Sequence, residues 1–429
     1  MSSPTTIAAV KGFRDVLPDE AGRWRDLEDA AARLFARYGC EEIRLPIVER
    51  TELFARSLGD TTDVVEKEMY SFLDRDETSL TLRPEATASV VRAYVESGLV
   101  QRDPAARLWY RGPMFRRERP QRGRYRQFYQ IGAEVFGRDD PLADAELLVM
   151  LMRYLEHVGA RDTRLELNSV GDARCRPAYR DRLREFGQRE LAALCPDCHR
   201  RLERNPLRIL DCKVEGCRAV VARAPVVLDS LCEPCRVHFD EVRALLDQER
   251  VPYVVNARLV RGLDYYCRTA FEVVGGGLGA QNAVGGGGRY DGLVAALGGP
   301  DVAGVGFALG LERLAMVAPG EPAAPAVAAV VLPLEPRAVR PALAFATRLR
   351  DQGMTVALEP AGRSLKALLR AADRRGARLA FILGEDELRA GRATVRDLAR
   401  HADRPQALAL DTPAPALAEQ VQALLGSAP

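Results

Sequence analysis

Residues 107–137 read RLWYRGPMFRRERPQRGRYRQFYQIGAEVFG. Both ends alternate aromatic and apolar positions with other residues, while the middle is polar and contains proline and glycine. Alternation with a period of two is typical of β-strands, and proline and glycine mark turns. The stretch therefore predicts a long antiparallel hairpin.

The middle of this hairpin is strongly basic, with six arginines and one glutamate between Arg116 and Arg126. A solvated charged surface is one interpretation, because charge runs are often no more than that. A surface that meets phosphate groups is the other. The hairpin alone leaves both open.

Outward from the hairpin, other segments show helical and strand-like spacing. Apolar residues recur at three- and four-residue steps from Arg23 to Tyr38, which predicts an amphipathic helix ended by Gly39. A strand is expected at 42–46, and the apolar run 305–314 is expected to be a strand running into a buried helix. The glycine runs 275–279 and 285–288 lack the context of a nucleotide fingerprint, so they indicate close strand packing beneath a small substrate.

The chain also divides by composition. Short helical segments and paired cysteines between about 175 and 255 indicate an inserted subdomain, and the proline-rich segment 318–326 indicates a linker. Beyond it, apolar runs alternate with helical segments, which predicts a small α/β domain at 327–429. Residues 1–320, interrupted by the insertion, form the expected first domain.

Length and charge set broad limits. A chain of 429 residues is long enough for two or three domains. With 62 basic and 60 acidic side chains the net charge is +2, so nucleic-acid contacts must depend on local patches. No run of about 18 apolar residues and no signal-like N-terminus occurs, so we expect a cytoplasmic protein without a membrane span.

Nine cysteines in such a chain suggest reduced thiols or metal ligands. Cys195 and Cys198, and likewise Cys232 and Cys235, have the spacing of tetrahedral zinc pairs, with two further cysteines between them and His199 and His238 adjacent. Cys195, Cys198, Cys232 and Cys235 are the predicted ligands of a structural zinc in the insertion. Reduced free thiols are the alternative.

Three segments resemble the signatures of class II aminoacyl-tRNA synthetases. Residues 115–118, Phe-Arg-Arg-Glu, are similar to the second signature, and 304–314, GVGFALGLERL, to the third. Residues 45–49, Leu-Pro-Ile-Val-Glu, are similar to the first, whose proline lies at a dimer interface. The resemblance implies an α+β catalytic domain on a mainly antiparallel sheet, and a homodimer formed near Pro46.

Further segments narrow the resemblance to histidyl-tRNA synthetases. Residues 259–266, LVRGLDYY, and 283–293, AVGGGGRYDGL, resemble signatures of that family, and 81–87, TLRPEAT, adds to them. The similarity covers nearly the whole chain. It implies an enzyme that forms histidyl-adenylate from histidine and ATP with Mg²⁺, and then transfers histidine to the 3′ end of tRNA(His). The C-terminal domain would then read the anticodon.

The resemblance also assigns roles to individual residues. Adenylation spreads negative charge over the α-phosphate oxygens, and planar guanidinium groups can donate to two oxygens at once. Arg116 and Arg261 are the expected catalytic pair, and Asp264 could assist Arg261 or form a buried ion pair with it. The expected ATP site comprises Arg116, Glu118, Phe128 and Arg313; the expected tRNA site comprises Arg119, Gln121 and Arg122.

A hydrogen-bonding pocket is expected for histidine, because such a site rejects analogues that lack the polar atoms. Phe128, Tyr266 and Tyr290 could instead be core aromatics. By resemblance the histidine site comprises Glu85, Thr87, Gln130, Glu134, Tyr265, Tyr266 and Tyr290.

Two other functions share part of this pattern. A histidine-binding regulatory subunit of ATP phosphoribosyltransferase shares the fold but typically loses signature arginines and the C-terminal domain. A synthetase for glycine, threonine or proline shares the three general signatures but not the two histidine-specific ones.

Overall fold

The computed structural model describes residues 7–59, 62, 64–212, 214–260, 265–279, 282–318, 320 and 327–426. The chain forms two compact units, Met1–Gly320 and Glu321–Pro429. No helix within the described ranges is long and apolar enough to cross a membrane.

The first unit contains a large sheet and a small three-stranded sheet. Its strands are β1 (Glu41–Glu42), β2 (Val48–Arg50), β3 (Tyr70–Leu73), β4 (Ser79–Leu82), β5 (Arg107–Phe115), β6 (Gln127–Phe136), β7 (Thr163–Ser169), β8 (Tyr253–Val255), β9 (Cys267–Gly275), β10 (Ala283–Arg289) and β11 (Gly304–Gly310). Its helices are α1 (Pro18–Arg37), α2 (Thr51–Leu58), α3 (Thr87–Glu96), α4 (Leu99–Arg102), α5 (Pro141–His157), α6 (Arg176–Arg189), α7 (Pro196–Arg204), α8 (Glu215–Val221), α9 (Glu233–Gln248), α10 (Leu293–Ala296) and α11 (Leu311–Val317).

The large sheet has eight strands in the order β1-β5-β6-β11-β10-β9-β7-β8. Only the two edge pairs, β1 with β5 and β7 with β8, are parallel, and the five pairs between them are antiparallel. The predicted fold class, an α+β domain on a mainly antiparallel sheet, is confirmed. The predicted hairpin is confirmed as β5 and β6, and the predicted strand and helix at 305–314 as β11 and α11.

One face of this sheet carries the main core. Helix α1 buries Leu27, Leu34 and Phe35 against it, as the spacing predicted, although the helix begins earlier, at Pro18. Val305, Phe307 and Leu309 of β11 enter the same core, whereas the residues between them are glycine or alanine and face the other way. Alternation along β11 therefore separates a packed face from an open one.

The strand predicted at 42–46 is wrong beyond its first residue, because β1 ends at Glu42. The carbonyl oxygens of Leu45 and Pro46 accept hydrogen bonds from the buried Arg83 guanidinium at 3.0 and 3.2 Å. Proline also has no N–H to donate to a sheet. The backbone N–H of Ile43 still donates to the Trp109 carbonyl of β5 at 2.8 Å, but a side chain holds Leu45 and Pro46.

The chain between β7 and β8 forms the helices α6 to α9, joined by short 3₁₀ turns. Helix α9 contributes Phe239, Val242 and Leu246 to the main core. The segment before it has a separate core, whose buried members are Tyr179, Leu183, Leu194, Cys198, Leu202, Ile209, Cys212, Cys217, Val220, Val221, Ala224 and Val227.

The second unit is a three-layer α/β structure. The elements are β12 (Ala329–Pro333), α12 (Val339–Asp351), β13 (Val356–Leu358), α13 (Leu365–Arg374), β14 (Leu379–Leu383), α14 (Glu385–Ala390), β15 (Arg392–Asp397), β16 (Ala402–Asp403), β17 (Leu408–Ala409) and α15 (Ala414–Gly426). The strand order is β13-β12-β14-β15-β16, with β17 paired to β15, and the first three strands are parallel. Alternate residues of the buried strands β12 and β14 enter cores on the two opposite faces. The predicted C-terminal α/β fold is confirmed.

Candidate active site

A cavity of about 410 Å³ lies on the open face of the large sheet. Its floor is made by small residues of β11 and β10, among them Gly306, Ala308 and Gly286. In register, Gly306 lies between Glu134 on β6 and Gly288 on β10. A methyl group at Gly306 would overlap the Glu134 carboxyl group, so glycine is required at this position to leave room for the Glu134 side chain.

Glu134 is fully buried beside Gly306, and its partners Thr87 and Tyr290 line the cavity. The hydroxyl groups of Tyr290 and Thr87 donate hydrogen bonds to its carboxyl oxygens at 2.5 and 2.7 Å, and the Tyr110 hydroxyl lies at 3.4 Å. Burial raises the pKa of Glu134 to about 8, and these hydrogen bonds offset only part of that effect. The group is therefore a buried carboxyl group that two cavity-lining residues, Thr87 and Tyr290, hold in place.

Glu85 lies beside it at the start of α3 and is also buried. Its two carboxyl oxygens accept hydrogen bonds from the backbone N–H groups of Thr87 and Ala88 at 2.7 and 2.9 Å. Burial raises its pKa, against the lowering effect of those bonds and of the Arg116 charge. Each carboxylate oxygen has a second lone pair, so Glu85 can still accept from a cationic ligand.

Aromatic residues close the same end of the cavity. The rings of Tyr265 and Tyr266 lie 4.6 Å apart, and those of Tyr265 and Tyr290 lie 5.8 Å apart. All three tyrosines line the cavity and also contact buried apolar residues. The core and pocket interpretations of Tyr266 and Tyr290 are therefore compatible.

The other end of the cavity is lined by arginines and an aromatic ring. The Arg116 guanidinium carbon lies 5.5 Å from the centre of the Phe128 ring, and its Nε donates to the Pro84 carbonyl at 3.0 Å. Arg313, on α11, donates to the carbonyl oxygens of Gly123 and Ala283, which fixes it against the cavity wall. This end can hold an anionic group beside a planar one.

The remaining predicted residues of the hairpin lie in or near this region. Glu118 lines the cavity and pairs with Arg124 at 3.2 Å. The side-chain oxygen of Gln130 is buried without a hydrogen-bond partner in the described part of the chain, and its residue lines the cavity. The three residues predicted for tRNA, Arg119, Gln121 and Arg122, are exposed on the connecting loop.

Arg261 and Asp264 lie outside the described residues, as do the two residues between them. The residues on either side of this segment, Val260 and Tyr265, both line the cavity.

Sequence reasoning missed a charged network beneath the pocket. Arg289 and Asp144 are fully buried, and the Arg289 Nε donates to the Asp144 carboxylate at 3.0 Å. His238 Nε2 lies 2.8 Å from the same carboxylate, and Thr269 donates to it at 2.5 Å. Burial alone would raise the pKa of Asp144, but the His238 hydrogen bond and the Arg289 charge outweigh it and lower the pKa. Arg289 precedes Tyr290, so this network fixes the strand end that carries a pocket tyrosine.

Glu312 was also missed as a site residue. It is buried on α11, lines the cavity and accepts from the backbone N–H of Tyr129 at 3.1 Å. Burial raises its pKa to about 7. Its position within residues 304–314, which resemble the third signature, is the feature of the sequence that could have identified it.

The predicted zinc ligands do not form one site. Cys195 and Cys198 lie with Cys212 and Cys217, which we call the four-cysteine cluster. Cys232 and Cys235 lie with Asp172 and Cys175, which we call the root cluster. The prediction that the two pairs share one metal is wrong, because the first pair belongs to the core of the insertion and the second to its junction with β7 and α9. His199 and His238 belong to neither cluster; His238 is bound to Asp144 instead.

Comparisons with known proteins show what this chain is similar to. Residues 12–314 match the family described as histidyl-tRNA synthetase, and residues 328–417 match the family described as anticodon binding domain. A histidine–tRNA ligase of Nitratidesulfovibrio vulgaris is 53% identical over 393 residues, which cover 91% of this chain and 94% of the relative. One of Trichlorobacter lovleyi is 50% identical over 413 residues, with 96% and 98% covered.

Two solved structures are also similar to this chain. The apo histidyl-tRNA synthetase of S. aureus matches with a TM-score of 0.79 at 33% identity, and the match covers 97% of this chain and all of that one. A Bacillus halodurans protein described as an ATP phosphoribosyltransferase regulatory subunit/histidyl-tRNA synthetase matches with a TM-score of 0.64 at 20% identity, covering 86% and 97%. The latter likeness concerns the fold alone. Identity over nearly the full length, together with the family match over residues 12–314, shows that this chain belongs to the histidyl-tRNA synthetase family.

Proposed function

We propose that this chain is a histidine–tRNA ligase that forms histidyl-adenylate from histidine and ATP and transfers histidine to the 3′ end of tRNA(His). The observation that carries the proposal is one cavity that has buried Glu85 and three tyrosines at one end and arginines beside an aromatic ring at the other. One end suits an amino acid with a polar ring, and the other suits a nucleotide. Family membership supports the same activity.

In this proposal, Glu134 accepts a hydrogen bond from an imidazole N–H. Tyr290 and Thr87 hold the carboxyl group in place, and Tyr265 and Tyr266 enclose the ring. A buried acceptor left without its partner is costly, so the pocket rejects amino acids that lack this N–H. Glu85 pairs with the α-ammonium group, and the amide of Gln130 contacts the carboxylate or the ring edge.

ATP occupies the arginine-lined end, with adenine stacked on Phe128. Arg116 and Arg261 donate to the α-phosphate oxygens as the histidine carboxylate attacks the α-phosphorus and pyrophosphate leaves. Arg313 holds the β- or γ-phosphate, and Glu118 belongs to the same site. Arg313 and Arg116 are anchored by backbone carbonyls, so little reorganisation is needed when charge develops.

Mg²⁺ enters with ATP as part of the substrate. Carboxylate oxygens are the ligands that Mg²⁺ prefers, and Glu272 and Glu312 line the cavity near the arginines. The ion neutralises part of the charge on the phosphates, while the side chains orient them.

We further propose the following domain roles. A catalytic domain spans residues 1–320, interrupted by an insertion at about 175–255; residues 318–326 link it to an anticodon-binding domain at 327–429. The exposed loop residues Arg119, Gln121 and Arg122 contact the acceptor end of tRNA, where phosphate contacts position the substrate. The enzyme acts in the cytoplasm.

We propose a homodimer that forms through the segment around Pro46. Ile47 and Val48, which follow it, are 43% and 41% exposed, and exposed apolar groups in a cluster favour association. Buried Arg83 links the carbonyl of Pro46 to that of Pro113 on β5, so the interface would support the hairpin. Sedimentation of the wild type and of Val48→Glu tests this: a dimer and a monomer are expected, and a monomeric wild type contradicts it.

Pyrophosphate exchange into ATP by the purified chain tests the main proposal. Exchange should depend on histidine and should not occur with glycine, threonine or proline. Exchange with one of those amino acids and not with histidine would overturn the specificity. Histidine binding without exchange would favour a regulatory subunit, the rival function.

A further inference from the structure

The insertion contains two groups of metal-ligating side chains that no step of the proposed reaction uses. They are the four-cysteine cluster and the root cluster defined above. In each, the four candidate ligand atoms lie within 4.8 Å of one another. We propose that each cluster binds one Zn²⁺, so that the chain holds two structural zinc ions.

The sulfur distances in the four-cysteine cluster fit a shared metal. Cys195 Sγ and Cys212 Sγ lie 3.9 Å apart. Two thiolates at Zn–S distances of 2.3 Å in tetrahedral geometry would lie about 3.8 Å apart, whereas a disulfide needs about 2.05 Å. Four cysteines with tetrahedral spacing form a closed structural site.

The burial and hydrogen bonds of this cluster also fit a metal site. Cys198, Cys212 and Cys217 are at most 7% exposed. The backbone N–H of Cys195 donates to Cys217 Sγ at 3.1 Å, a contact that stabilises a negatively charged sulfur. The surrounding core is small and built from short helices and 3₁₀ turns, and folds of this size commonly need a metal or a cross-link.

The root cluster combines three sulfurs with one carboxylate oxygen. Cys175 Sγ lies 3.8 Å from Cys235 Sγ. Asp172 Oδ1 lies 3.6 Å from Cys175 Sγ and 3.7 Å from Cys232 Sγ. For Zn–O and Zn–S distances of 2.1 and 2.3 Å, a tetrahedral site would place oxygen and sulfur about 3.6 Å apart. Both kinds of distance therefore fit one ion.

The position of the root cluster explains what a metal would do there. Asp172 and Cys175 follow β7, where the chain leaves the large sheet, and Cys232 and Cys235 lie at the start of α9, where it returns. An ion bound by both pairs would close the 60-residue loop between Cys175 and Cys235. The segment that leads into this loop is bonded to β9, because the Arg268 N–H donates to the Gly171 carbonyl at 2.8 Å. The site would thus hold the insertion to the strand that follows the pocket tyrosines.

Metal analysis of the purified full-length chain, dialysed against metal-free buffer, tests the proposal. Two equivalents of zinc are expected, with one lost in Cys212→Ala and one in Cys175→Ala. Cys40→Ala is the control, because Cys40 is buried in the main core against the Met150 sulfur and belongs to neither cluster. It should retain both equivalents.

Cobalt substitution gives a readout that does not depend on how the variants fold. Wild type expressed with Co²⁺ should bind two equivalents and show tetrahedral d–d bands with thiolate charge-transfer bands. Less than a tenth of an equivalent of either metal overturns the proposal. One equivalent, lost in Cys212→Ala and kept in Cys175→Ala, overturns the root site; the opposite pattern overturns the four-cysteine site.

Discussion

Glu134 makes the stability of the first unit depend on pH in a direction that can be measured. Burial raises its pKa to about 8, whereas the carboxyl group of an unfolded glutamate titrates near 4.3. Between these values the folded protein holds a proton that the unfolded chain has lost, so stability falls as the pH rises. From pH 6 to pH 8 the loss amounts to roughly 2 kcal/mol, since a full proton difference is worth about 1.4 kcal/mol per pH unit.

Glu134→Gln isolates this contribution, because glutamine keeps the shape of the protonated acid and does not titrate. Urea unfolding is followed by tryptophan fluorescence, which reports on the first unit alone because both tryptophans, Trp24 and Trp109, are buried there. The stability of the wild type relative to Glu134→Gln should fall by roughly 2 kcal/mol between pH 6 and pH 8.

A matched control is Tyr154→Phe, which also removes a buried polar group. Burial raises the pKa of Tyr154 far above this window, so its stability difference from wild type should not change with pH. The Tyr154 hydroxyl donates to the Leu27 carbonyl on the opposite side of the sheet from the cavity. If the Glu134→Gln difference is equally flat, the carboxyl group is not held protonated by burial and the reasoning is refuted.

Four further outcomes are expected. Arg261→Ala should lower pyrophosphate exchange about 10²-fold or more while calorimetry still detects histidine binding, and loss of both with early melting would favour the ion pair with Asp264. Asp144→Ala should lower the free energy of unfolding by about 3–5 kcal/mol, because it removes the buried carboxylate that Arg289, His238 and Thr269 share and leaves Asp291 as the carboxylate that pairs with Arg289; a change below about 1 kcal/mol in urea contradicts this. Phe128→Ala should raise the KM for ATP roughly tenfold and leave the KM for histidine unchanged, and equal effects on both would argue for a core role. Arg122→Ala should raise the KM for tRNA and weaken its salt dependence in aminoacylation assays without altering pyrophosphate exchange, and an altered exchange rate would place Arg122 in the adenylation site.

The elements that could be predicted from the sequence are those in which one face is buried, because burial of one face gives a regular apolar pattern. The hairpin at 107–137 was located by alternation, and the strand and helix predicted at 305–314 by an apolar run, because both have a face that enters the core. In the segment 42–46, Leu45 and Pro46 are held instead by the Arg83 side chain, which comes from a distant part of the sequence. Local pattern carries no information about such a partner.

At the sites, too, contacts between residues far apart in the sequence could not be predicted. Both Cys-x2-Cys pairs were recognised by spacing, but spacing cannot show that β7 and α9 bring the second pair to Asp172 and Cys175. Arg289 was visible within a signature, yet its buried partner Asp144 lies 145 residues earlier. A buried guanidinium needs a carboxylate, but the sequence offers many.

Strand β11 contributes to the core on one face of the sheet and to the cavity floor on the other. In β11, residues 304–310 alternate glycine or alanine with Val305, Phe307 and Leu309, and only the larger residues enter the core. The small ones leave room above the sheet, and Gly306 in particular lies in register with Glu134. Any side chain at Gly306 would displace the carboxyl group that Tyr290 and Thr87 hold. The glycine pattern therefore determines where the buried carboxyl group can lie above the sheet.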